Sequence, residues 1–464
     1  MQPKPIATKP RSTNRRQFLR QTATAAAAVA ATPLFRNTIY GQAPAAGNVL
    51  GANSRITVGF IGVGGQGMNA HVNLVTANAA ANNVAEAAVC DVWGKRRDAA
   101  KAFIEGKVSG AKVDAYDDYR KLLERKDIDA VVIATHDPIH ANATIAAMES
   151  GKHVYCEKPM TRYLGEAFAV QDAVKKTGKI LQVGSQGCSA AAWHKAAAMI
   201  LAGDIGQLVW AQGYYCRNSP KGEWNYPMDA AATAATVDWE KWEGPVKQRM
   251  PFDPQRYFRW RKFYPYCAGL LGDLMPHRLH PLMLAMGKVE FPSRVVAIGT
   301  QRIHTDRQQT DGTPEREVPE QIELLVEFPS GVSLMLACST VTARSPGFAL
   351  YGHHATLEIG TSGERIQLIP EKEFADEVDP ESFDGLKPTE DIGAHHKNWF
   401  DCIRTNTQPN CGIDLAVRVQ TVISLAEMSD RLKIACLFDE KTRKITTGDG
   451  KEVPPITYGT LPQS

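Results

Sequence analysis

Three side chains in this sequence have the types and spacing for proton and charge chemistry: Lys158, Asp273 and His277. Lys158 stands in Cys156-Glu157-Lys158-Pro159, directly after the apolar run 153–156, which reads as a strand. An ammonium there can hydrogen-bond a substrate hydroxyl and stabilise the alkoxide charge that develops as its proton leaves. Asp273 and His277 are four residues apart, so a helix places both on one face. The imidazole can accept a proton near neutral pH, and the carboxylate can orient it or bind another hydroxyl. Oxidising a secondary alcohol needs such a base, together with a hydride acceptor facing the carbinol hydrogen. Taken alone, the Asp/His pair also reads as a helix-surface contact. Asp273, His277 and His280 would also suit a metal, but no metal centre is expected.

The hydride acceptor has its own signal. Gly62-Val63-Gly64-Gly65-Gln66-Gly67 follows the apolar run 56–61 and precedes a helical stretch. Gly62 permits a tight turn, Gly64 lets backbone approach a pyrophosphate, and Gly67 lets helix and strand pack closely. Asp91 ends the second expected strand, 24 residues after Gly67. A carboxylate there hydrogen-bonds a ribose 2′-hydroxyl and repels a 2′-phosphate, which favours NAD. Arg96 and Arg97 leave NADP open.

These residues need a scaffold. Strands at 56–61, 84–90, 130–134, 153–156 and 180–183, with a short one near Val113, alternate with helices. That pattern predicts an α/β fold whose first domain is a parallel, doubly wound Rossmann sheet over 54–183. Residues 184–464 read as a C-terminal α/β domain with a large, open, mostly antiparallel sheet. In it, Pro329-Ser330-Gly331 turns a hairpin. Helices over 394–404 and 415–432 pack on that sheet or bridge back. The chain's 464 residues suit two or three domains.

Residues 1–46 read differently. They hold seven of the 53 basic residues and none of the 50 acidic ones, so the rest carries 46 basic against 50 acidic residues, a net −4. That balance argues against a nucleic-acid partner. Asn14-Arg15-Arg16-Gln17-Phe18-Leu19-Arg20 and the short Ala/Thr run after it look like a twin-arginine (Tat) signal. The run is too short and weakly apolar to span a bilayer of about 30 Å. Export to the periplasm or beyond is expected, with the Tat translocase as a transient partner. The nine scattered cysteines contain no CxxC and read as free thiols.

Gly62–Gly67, Ala134-Thr135-His136-Asp137-Pro138-Ile139-His140-Ala141, Cys156–Pro159 and Gly269–His277 together make the chain resemble the glucose–fructose oxidoreductase / inositol dehydrogenase / MocA family. The resemblance runs from about Arg55 to about Asp439. It implies an NAD(P)-dependent oxidoreductase acting on a secondary alcohol of a sugar, glycoside or cyclitol. It assigns cofactor contacts to Gly62, Gly64, Gly65, Gln66, Gly67, Asp91, Thr135, His140, Glu157, Lys158 and Pro159. Lys158, Asp273 and His277 become catalytic, with the histidine as acid/base. Trp260, Arg261 and His280 are offered to the substrate, and His395, His396 and Asn398 open a late helix that in relatives approaches the pocket. The resemblance also implies a homo-oligomer. Export adds a reason to keep one nucleotide tightly bound, cycled between two substrates or served by a redox partner. Two other readings stay open. One is an NAD-dependent glycoside hydrolase, although Cys267-Ala268-Gly269 stands where that subgroup carries His-Gly-Gly. The other is a non-catalytic sugar-binding protein on the same fold.

Overall fold

The computed structural model describes residues 54–247, 249–304, 315–387 and 390–457. The expected twin-arginine segment lies outside the described residues. Six parallel strands form the first sheet: β1 (Ile56–Ile61), β2 (Val84–Cys90), β3 (Asp114–Tyr116), β4 (Ala130–Ile133), β5 (His153–Glu157) and β6 (Leu181–Gly184). Their order is β3-β2-β1-β4-β5-β6. The chain winds outward from β1 to one edge, then returns to β4 and winds to the other. The reversal between β1 and β4 opens a crevice at the carboxyl ends of the strands.

Both faces of this sheet are apolar because both are covered. Val58, Phe60, Val132 and Tyr155 pack on one face with Trp399 and Phe400 from the helix Ile392–Thr405. Ile61, Val131, Ile133, Val154 and Cys156 on the other face join the main core of the protein. A late helix therefore bridges back, as one of the two sequence alternatives had it. The other late helix, Ile413–Leu432, packs between the helix Leu164–Thr177 and the second sheet.

The second sheet has eleven strands. β7 (Leu208–Asn218) lies between β10 (Ser333–Ser339) and β12 (Phe348–Gly352), and the short β11 (Val341–Thr342) also pairs with it. Only β7 and β10 run parallel; the other pairs are antiparallel. The hairpin joins β9 (Gln321–Glu327) to β10, with Gly331 at φ +84°. β8 (Arg294–Thr300) continues the sheet beyond β9. The inner face is covered by helices. The outer face exposes Ile298 (63%), Leu325 (57%) and Ile369 (42%).

Two expected helices differ in ways that touch the site. The stretch expected to carry Asp273 and His277 on one helix is broken into Leu270–Asp273 and Pro276–Ala285. Pro276 has no N–H to donate back to the preceding turn, so the helix restarts there. The helix expected from Thr161 starts instead at Leu164. Arg162 is held outside it by Glu427 (2.6 and 2.8 Å), and Glu166 accepts the N–H of Tyr163 (3.0 Å) as an N-terminal cap. All nine cysteines are free. Among the described residues no helix is long and apolar enough to cross a membrane.

Candidate active site

Gly62 leaves β1 at φ +84°, and a Cβ on it would lie 2.8 Å from the Ala134 backbone. A Cβ on Gly67 would lie 2.0 Å from the carbonyl oxygen of Gly62. The loop and the first helix meet at a distance only glycine allows. In front of them lies a cleft of about 1030 Å³, lined by Gly64, Gly65, Gln66, Asp91, Arg96 and Thr135 among others. A bare-backbone loop opening a helix at the strand reversal is a fit for a dinucleotide pyrophosphate.

Asp91 lines this cleft but already has structural work. Its oxygens accept the N–H groups of Trp93 (2.9 Å) and Val63 (3.0 Å), which ties the glycine loop to the end of β2. Burial pushes its carboxyl up, against the nearby Arg96. Arg96 lies over the Trp93 and Tyr257 rings, 5.3 and 5.0 Å from their centroids, and donates to the Tyr257 hydroxyl (3.0 Å). Its guanidinium also borders Gly64.

A second pocket, about 400 Å³, adjoins the cleft and shares Gln66, Thr135, Tyr226, Trp260 and Arg261 with it. Here the structure brings together Glu157, Lys158, Asp273 and His277. Lys158 Nζ donates to Asp273 Oδ1 (2.8 Å) and to its backbone oxygen (2.7 Å). Trp224 Nε1 donates to Asp273 Oδ2 (2.7 Å), and Arg261 Nε lies 2.9 Å from Oδ1 without the alignment of a hydrogen bond. Asp273 thus gathers three groups from distant parts of the chain.

Electrostatics separates their roles. Burial alone would push the Lys158 ammonium down, but Asp273 and Glu157 outweigh it and hold it above its ordinary value. Burial alone would push Asp273 up; Arg261 and Lys158 hold it far below the carboxylate range. His277 is driven down to about 3, by burial first and then by Lys158. At neutral pH the pocket therefore holds a charged donor, a fixed anion and a neutral imidazole. The imidazole can take a proton, and so can Asp137, which also lines the pocket and is pushed up to about 7 by burial. The Nδ1 of His277 has no hydrogen-bond partner, and the nearest carboxylate oxygen, Oε2 of Glu390, is 3.9 Å away.

His140, Pro159 and His280, expected as contacts, line neither pocket. His140 is buried, and its ring nitrogens lie 2.7 Å from the oxygen of Pro159 and 3.2 Å from that of Thr135. It braces the loop behind the crevice and lines neither pocket. The Lys158–Pro159 peptide is cis. His280 is buried, with Nδ1 3.0 Å from the Pro276 oxygen, and likewise lines neither pocket. Among the described residues no group of three or more His, Cys, Asp or Glu is placed to hold a metal ion.

Other residues acquire roles that sequence order hid. Trp224 serves as a donor to Asp273. His136 stacks on Trp242 at 4.0 Å and lines the large cleft. Arg278 reaches the pocket paired to Glu390 (2.8 Å). His71, four residues after Gly67, bonds Glu157 (2.8 Å) and His396 (2.9 Å). The position of His71 on the first helix was the one signal for it; its partners are 86 and 325 residues away.

Residues 56–185 match the family model described as oxidoreductase family, NAD-binding Rossmann fold, and residues 245–433 match the C-terminal alpha/beta domain of the same family. The chain belongs to the Gfo/Idh/MocA oxidoreductase family. Its first sheet, glycine loop and crevice form the family's NAD-binding Rossmann fold. The chain is 31% identical to inositol 2-dehydrogenase of Salmonella typhimurium over 144 residues, which is 30% of this chain and 41% of that protein. It is 33% identical to a glycosyl hydrolase family 109 protein of Shewanella pealeana over 176 residues, 36% of this chain and 38% of that one. It therefore matches less than half the length of these curated relatives. Levoglucosan dehydrogenase, solved with NADH and levoglucosan, superposes over 82% of this chain and 98% of its own, with a TM-score of 0.62 and 19% identity.

Proposed function

We propose that this protein is an exported NAD-dependent dehydrogenase that oxidises a secondary alcohol of a sugar or cyclitol. The observation that carries the reading is the buried Lys158–Asp273 pair beside a neutral His277, at the end of a nucleotide cleft. Bound NAD+ supplies the hydride acceptor. Lys158 donates a hydrogen bond to the substrate oxygen and stabilises it as negative charge grows. Asp273 fixes the ammonium in place and keeps it charged. His277 takes the hydroxyl proton. Tyr215, Tyr226 and Trp260 line the same pocket and suit the C–H faces of a ring, while Arg261 suits its hydroxyls. The inositol and levoglucosan dehydrogenases among its relatives support this substrate class. The Tat-like motif supports export, and a second copy covering the open sheet accounts for its exposed apolar residues.

The first test is to denature the purified protein and identify the released nucleotide, then screen sugars and cyclitols for NADH formation. Lys158→Ala with unchanged turnover would falsify the catalytic assignment. The Shewanella relative favours a second reading, glycoside hydrolysis through transient oxidation. Release of free sugar with no net NADH would select it.

A further inference from the structure

Behind Lys158 runs a chain of hydrogen bonds that the proton transfer above does not use. Glu157 closes β5 at the crevice and is 5% exposed. Its Oε1 accepts from Gln66 Nε2 (3.1 Å) and lies 2.8 Å from His71 Nε2. Its Oε2 accepts the N–H of Lys158 (3.0 Å). His71 Nδ1 lies 2.9 Å from His396 Nε2, and both rings are buried. His396 Nδ1 is buried with no partner.

A neutral arrangement of the two imidazoles satisfies every bond in this chain. An ionised carboxylate only accepts, so His71 carries its proton on Nε2. A neutral His71 then accepts at Nδ1, and His396 donates from Nε2. That leaves His396 Nδ1 as a lone pair, the buried atom without a hydrogen-bond partner. Every bond points its hydrogen toward Glu157. Three elements meet in the chain: the glycine-loop helix, β5, and the helix Ile392–Thr405. Burial alone would push Glu157 up, but the His71 hydrogen bond and the nearby Lys158 ammonium hold it below its ordinary value.

A dinucleotide lies across the crevice with one half over β1–β3 and the other over β4–β6. Asp91, at the end of β2, marks the adenosine half. Glu157, beside Lys158 and Thr135, marks the nicotinamide half. The nearest cation, Lys158, is already paired with Asp273. We propose that His71 and His396 are positioning residues that fix Glu157 as an anion at the nicotinamide end of the crevice and so favour the oxidised, positively charged ring over the reduced one. The proposal rests on the NAD-dependent reading and adds a specific preference to it.

The test is equilibrium binding of NAD+ and of NADH, each followed by tryptophan quenching, to the unaltered protein and to His396→Phe and Glu157→Gln. His396→Phe keeps a ring in the packing and removes the donor. Glu157→Gln keeps the shape and removes the charge, so it stands if the histidine variant fails to fold. The expected result is a selective loss of NAD+ affinity. The ratio of the NAD+ to the NADH dissociation constant rises roughly tenfold in Glu157→Gln and about threefold in His396→Phe. A merely structural role would weaken both nucleotides alike, and an unchanged ratio in Glu157→Gln overturns the proposal. Failure of the unaltered protein to bind either nucleotide is a different result; it overturns the NAD-dependent reading itself, and the proposal with it.

Discussion

Asp273 is the residue on which the pocket's charges converge. It neutralises Lys158, approaches Arg261 and accepts from Trp224. Asp273→Asn would leave a buried ammonium without its counter-charge. Turnover should fall by about 10²- to 10³-fold in steady-state assays, with the nucleotide still bound. His277 gives a second prediction. Its value of about 3 in the folded protein lies below the ordinary 6.5, as does that of His136, also about 3 and set chiefly by burial. The unfolded chain therefore binds more protons below about pH 6.5, and stability falls as pH drops from there toward 3. Each histidine contributes about 1.4 kcal/mol per pH unit in that window. Urea melts of the nucleotide-free protein between pH 7 and 5 should show the loss, and His277→Asn should lessen it. A melt independent of pH over that range would contradict the buried, neutral state. Lys158 and His277 were legible in the sequence because each stands in a short local motif. The clamp on Asp273 was not. Trp224 and Lys158 reach it across 49 and 115 residues, and no local pattern encodes such a meeting.

At the scale of elements, the junction of Gly62 and Gly67 is the tightest constraint. Gly67→Ala forces a methyl into the Gly62 carbonyl, so the first helix must shift. NADH binding, followed by its fluorescence, should be lost or weakened by at least about tenfold, while Gly106→Ala, with open space around it and away from the cleft, should bind normally. Equal binding by the two variants would refute this account of the loop. Strands β1 and β2 could be read to the residue, because a largely apolar run bounded by polar residues and glycine has few alternatives. The break before Pro276 was visible as a proline, yet only the fold shows that it splits the catalytic motif between two helices. The start of Leu164–Thr177 depends on an ion pair to Glu427, more than 260 residues away, which no window of local sequence contains.

The whole molecule presents one large surface with no partner among the described residues: the outer face of the second sheet. Val296, Leu325 and Met335 pair across three neighbouring strands there. Apolar side chains on an open sheet are commonly covered by another subunit. Light scattering should find the protein as a dimer or higher assembly, and Leu325→Glu should shift it toward monomer with its melting temperature little changed. A monomeric unaltered protein would remove this reading. The alternation within β8, β9 and β10 made the two faces legible from sequence, but which face met helices and which stayed open depended on the order of strands.

The helix Ile392–Thr405 gives the molecule a timetable. The glycine loop and all six strands of the first sheet are made early, yet one face of that sheet lacks Trp399 and Phe400 until the chain has grown past residue 400. A ribosome still translating the second sheet holds a nucleotide fold with that face covered by Val72, Val75, Ala100 and Ile104 but not yet by the late helix.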